Sequence, residues 1–140
     1  MTDSNMGFSN ALNTAVGYIK LAEECGISVE ELQTNLATLT NSFSGMSAKA
    51  TDELFQNIAE AAQETGLSIT ELTNTVASLG DQFGVTGQEA LEMATLFAQA
   101  SSEYGISTEE LAIQTENMAS AYGISAKAAA RLAVQNQRMN

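Results

Sequence analysis

The chain has 140 residues, a size at which one hydrophobic core or one short array of repeats can form. Its formal charge of −12, with 17 acidic and 5 basic residues and no histidine, argues against phosphate backbones or anionic lipid as direct partners. The same composition removes the commonest general base and metal ligand, while the absence of proline and the abundance of Ala, Leu, Glu and Gln predict an all-α protein.

In chain order, residues 1–7 read as a flexible N-terminal tail. The first ten residues, "MTDSNMGFSN", have neither a basic n-region nor an apolar h-region. No apolar run approaches the roughly eighteen residues that a membrane-spanning helix needs. Synthesis in a cytoplasm without an export signal is the resulting expectation.

Residues 8–138 form one predicted helical domain, punctuated by six corners in which glycine is followed by an apolar residue and then by Ser or Thr. The glycines are Gly26, Gly45, Gly66, Gly84, Gly105 and Gly123, spaced by 19, 21, 18, 21 and 18 residues. Every second corner therefore recurs after 39 or 40 residues, which predicts stacked helix pairs in units near 27–65, 67–104 and 106–138.

Each position of the corner has a physical role. Glycine accepts the left-handed backbone that closes a helix, having no Cβ to meet the following carbonyl. Two residues later Ser28, Ser47, Ser68, Thr86, Ser107 or Ser125 can cap the next helix by accepting from a free amide, worth about 1 kcal/mol. Glu31, Glu71, Glu89 and Glu110 stand three residues beyond a cap, where they would complete reciprocal capping boxes and face the positive end of the helix dipole. The intervening apolar residue is a staple: Ile27 on Leu32, Leu67 on Leu72, Ile106 on Leu111.

These signals delimit seven amphipathic helices, near 8–25, 28–44, 47–65, 68–83, 86–104, 107–122 and 125–138. Val29, Leu32, Leu36, Leu39 and Phe43 make one apolar stripe, and Ile69, Leu72, Val76, Leu79 and Phe83 make the corresponding stripe of the fourth helix. Leu54, Ile58 and Ala61 do so more weakly in the third. Ala90, Met93, Phe97 and Tyr104 do so in the fifth. Leu32, Leu36, Leu72, Val76, Phe97 and Leu111 are the expected packing or assembly positions.

No catalytic, cofactor-binding or metal-binding set emerges, so the expectation is a non-enzymatic chain without cofactor or small-molecule substrate. Cys25, the single cysteine, falls at a helix C-terminus beside Glu23 and Glu24, where the dipole and the carboxylates oppose a thiolate. The acidic pairs Glu23/Glu24, Glu30/Glu31 and Glu109/Glu110 lie in or near helix ends, as caps and solvated faces.

The phrases "AEECGISVEEL", "AQETGLSITEL" and "ASAYGISAKAA" also resemble a helix-turn-helix. A DNA-binding regulator is thus an alternative, disfavoured by charge: Glu30 and Glu31, or Glu109 and Glu110, would face phosphates. Cations concentrate elsewhere. Residues 1–126 carry a balance of −15 and residues 127–140 carry +3, so Lys127, Arg131 and Arg138 form a candidate docking end for an acidic surface.

The stretch "GISVEELQTNLATLTNSFSGMSAKATDELFQNIAEAAQETGLSITELTNTVASLGDQFGVTGQEALEMA", continued by "GISTEELAIQTENMASAYGISAKAAARLAVQ", resembles the helical repeats of bacteriophage tail tape measure proteins. The resemblance covers most of the chain after Glu23. It implies a structural component of a virus particle, lying inside the tail, touching other virion proteins or copies of itself, and meeting no membrane before ejection. A related internal protein ejected by a short-tailed phage is the neighbouring alternative. A generic adaptor or solenoid module is a third class.

Overall fold

The computed structural model describes residues 15–139, and among them the chain forms seven α-helices and no strand. They are α1 (Ala15–Cys25), α2 (Val29–Ser42), α3 (Ala48–Thr65), α4 (Ile69–Phe83), α5 (Gly87–Tyr104), α6 (Thr108–Tyr122) and α7 (Ala126–Met139). The expected tail at 1–7 and the first turns of the first helix lie outside the described residues.

All six corner glycines have positive φ, between 65° and 94°. At Gly66, Gly84, Gly105 and Gly123 the glycine is itself the C-cap, its amide donating to the carbonyl four residues back at 2.9 Å. The second corner differs. There α2 stops at Ser42 rather than near 44, Phe43 leaves the helix at φ −122°, and the Met46 amide donates to the Phe43 carbonyl. The early exit lets Phe43 turn its ring into α4 at Gly80.

The next helix starts as capping chemistry requires. Ser28, Ser47, Ser68, Thr86, Ser107 and Ser125 each accept from the backbone amide three residues on, at 3.0–3.2 Å. Reciprocal boxes close at only two of the four expected corners, Ser68 with Glu71 and Thr86 with Glu89. Glu110 lends its amide to Ser107 without a return bond. Glu31 is drawn away altogether: its Oε2 accepts from Thr70 Oγ1 on α4, a tertiary contact that competes with the local one.

Helices pack on their neighbours in sequence and also on the helix after next: α2 on α4, α3 on α5, α5 on α7. One layer is thus α3, α5 and α7, and the other begins with α2 and α4. Glu31 meets Thr70, and Ser42 Oγ donates to Asp81 Oδ2 at 3.2 Å; both pairs are 39 residues apart, so α2 and α4 run parallel with that offset. In the odd layer Asn57 pairs with Gln88, 31 residues on, and Glu92 with Lys127, 35 residues on, so no single offset governs every contact.

The core is continuous between the layers. Phe55, Phe97, Leu32, Leu39, Ile58, Leu72, Met93, Leu111 and Val76 are its largest fully buried side chains. Toward the C-terminus it narrows to Ala129, Ala130 and Ala133, whose small side chains let α7 approach α5 and α6 closely. Tyr104, placed on the α5 stripe by period alone, is 36% exposed at the last residue of the helix.

Candidate functional site

The apolar positions singled out in the sequence resolve into intrachain packing. Leu32, Leu72, Val76, Phe97 and Leu111 are each 0% exposed, and Leu36 is half-buried against the same cluster. A side chain with no accessible surface cannot bind a neighbour without unfolding, so these five are packing positions and only Leu36 keeps any surface. The staples Ile27, Leu67 and Ile106 likewise pack against the core.

The three candidate docking cations are not equivalent. Lys127 is engaged within the chain, its Nζ 2.5 Å from Glu92 Oε1 on α5. That hydrogen bond, opposed by a little desolvation and aided by the charges of Lys127 and Arg131, holds the Glu92 carboxyl below its ordinary value. Arg131 is exposed one turn further along α7, on the same flank. Arg138 is exposed near the end of the helix.

Lys127 and Arg131 form one rim of an open groove of about 540 Å³ that crosses the outer faces of α3, α5 and α7. Glu60 and Glu64, exposed on α3, form the other rim. Between them α5 supplies Gln88, Glu92, Leu96 and Gln99, with half-buried Ala61 and Leu96 as the apolar floor. Two packed helix spacings, roughly 16–20 Å, separate the axes of α3 and α7, and the basic rim reaches in as far as Glu92 on α5, which Lys127 bonds and Arg131 also acts on.

A second groove, of about 450 Å³, lies where α4 and α6 part, with Leu79, Phe97 and Ala112 in its walls and Ile113, 52% exposed, at its edge. The second groove also holds Thr75, Ser78, Thr108 and Glu109, and among the described residues no hydroxyl lining either groove is hydrogen-bonded to a carboxylate. Cys25 is half-buried, and burial, reinforced by Glu24, pushes its thiol above the ordinary value. Among the described residues no cluster of three or more His, Cys, Asp or Glu side chains could hold a metal ion.

Sequence reasoning passed over the buried polar residues. Asn35, Thr51, Asp52, Thr73 and Thr115 are at most 6% exposed. Asn35 donates to Thr70, and Thr115 donates to the Leu111 carbonyl at 2.7 Å, but the Thr73 hydroxyl has no partner. Burial, with Glu53 beside it, pushes the Asp52 carboxyl up to about 6. Their phase was the available signal: Thr51 and Asp52 share a helical stripe with Leu54, Phe55 and Ile58.

Comparison of the chain with family models, curated proteins and solved structures finds no match.

Proposed function

We propose that the chain is a non-enzymatic structural component of a phage particle, of the kind built from tail tape measure repeats, working through helix packing and assembly with copies of itself or other virion proteins. The observation that carries this reading is serial packing: α2 on α4, α3 on α5, α5 on α7. Contacts between these three next-but-one pairs stack helices side by side, leaving broad outer faces suited to lying against other proteins. The phrase "GISVEEL" and its variants, which resemble tape measure repeats, supply the corners of that array.

The chemistry supports the same reading. The two grooves described are broad and open, the form of a surface that lies against another protein, and burial beside Glu24 pushes the Cys25 thiol toward its neutral form. A location in the tail, or among the internal proteins of a short-tailed particle, follows from the resemblance and carries no membrane role before ejection. Among the described residues no helix is long and apolar enough to cross a membrane.

Proteomics of purified particles, together with the genes flanking this one, tests the proposal. Recovery of the chain from particles and tail, portal or capsid genes alongside are expected. Absence from particles, or a metabolic operon, overturns it. The regulator alternative makes a separate demand, duplex binding that falls steeply with salt; no binding at low salt and micromolar protein removes it.

A further inference from the structure

From the charge pattern over the outer face of α3, α5 and α7 we infer that this face pairs with a second copy of this chain, docked face to face about a two-fold axis running along α5. The inference rests on reading the protein as an assembly module and names the partner and the register. It stands on the distribution of charge over one surface.

A chain of net charge −12 repels its own copies over most of its surface. The groove departs from that rule, because Lys127 and Arg131 line one rim opposite Glu60 and Glu64 on the other. Both rims are split by α5, which lies between α3 and α7 and packs on each. A surface that is acidic on one side of a line and basic on the other is complementary to itself when rotated by half a turn about that line.

Direction selects the axis. α2 and α4 run parallel, and each tight corner reverses the chain, so α3, α5 and α7 share the opposite direction. Glu60 and Glu64 are one turn apart on α3, and Lys127 and Arg131 are one turn apart on α7. Rotation about an axis along α5 preserves level and exchanges sides. It sets Glu60 and Glu64 of one copy against Lys127 and Arg131 of the other, twice over. Rotation about an axis across the helices keeps the sides and sets acids against acids, which opposes association.

Two further features fit this register. The groove carries three carboxylates, counting Glu92, against two cations, so it is nearly neutral where the remainder of the chain is strongly acidic. Glu92, the acid nearest the axis, is already bonded to Lys127, which limits its repulsion of its own symmetry mate. Half-buried Leu96 and Ala61 on the floor are apolar surface that the second copy covers.

The test is sedimentation and light scattering of the full chain over a range of concentration and salt. Expected is a species of twice the 14.7-kDa chain mass at low ionic strength, weakening as salt screens the rims. Arg131→Glu and Glu64→Arg should each raise the dissociation constant about tenfold or more, and the double variant Glu64→Arg/Arg131→Glu should recover most of the loss. Circular dichroism of each variant separates lost pairing from lost folding.

Cross-linking fixes the axis. In a Cys25→Ser background, Gln88→Cys and Gln99→Cys, eleven residues apart on the groove face of α5, should each be joined to their own symmetry mate by a bis-maleimide cross-linker long enough to span two facing grooves. An axis across the helices would allow at most one level to meet itself. A monomer at every concentration, or single reversals that the double variant does not rescue, overturns the inference. A chain recovered from particles yet monomeric in solution would sink the dimer and leave the virion reading standing.

Discussion

The ring of Phe43 occupies the space that a side chain on Gly80 would need: a Cβ built at Gly80 would lie 2.3 Å from both Cε1 and Cζ of that ring. Gly80 sits inside α4, where glycine costs up to about 1 kcal/mol relative to alanine. The close approach of α2 offsets that cost by burying Phe43 to 8% exposure. Gly80→Ala should therefore destabilise the chain by about 1–3 kcal/mol, against the helix propensity trend, in urea denaturation. In a Phe43→Ala background the sign should reverse, because the new methyl then enters vacated space.

Glu31 serves the tertiary contact to Thr70 in place of its local cap. A double-mutant cycle of Glu31→Ala with Thr70→Val should show coupling of about 1 kcal/mol. The cycle of Glu71→Ala with Ser68→Ala should also couple, since that box is closed, whereas Glu31→Ala with Ser28→Ala should be additive. Coupling between Glu31 and Ser28 would contradict the observed geometry.

Asp52 makes stability depend on pH in the direction opposite to a salt-bridged carboxylate. Its folded-state value is raised from 3.8 to about 6, so between those values the folded chain binds more protons than the unfolded one. Its contribution is fully present below about 3.8 and is lost as pH rises through about 6. Asp52→Asn should match the parent chain near pH 4 and exceed it at pH 7 by an amount on the order of 1 kcal/mol, read from denaturation midpoints across that range.

The Thr73 hydroxyl is fully buried with no hydrogen-bond partner. Replacement by the isosteric, apolar Thr73→Val removes a desolvated group without opening a cavity, and should leave stability unchanged or raise it by about 1 kcal/mol. A loss above about 1 kcal/mol in thermal or urea unfolding would mean that the hydroxyl has a partner.

Helix number, corner positions and caps were legible in the sequence because their causes are local. A glycine at positive φ, a hydroxyl two residues on and an apolar staple act within one turn, and the six corners recur in the same letters. The stripes through Leu32, Leu72 and Phe97 were legible for the same reason, since period alone orients a helix face. Which faces meet was not legible. Glu31 leaves its cap because Thr70 lies across from it, α2 ends early because Gly80 admits Phe43, and the rims of the outer groove come together from helices sixty residues apart. Local energies decide where a helix begins and stops, whereas the order in which helices lie against one another is set by the fit of surfaces distant in the chain, which only the assembled tertiary structure specifies.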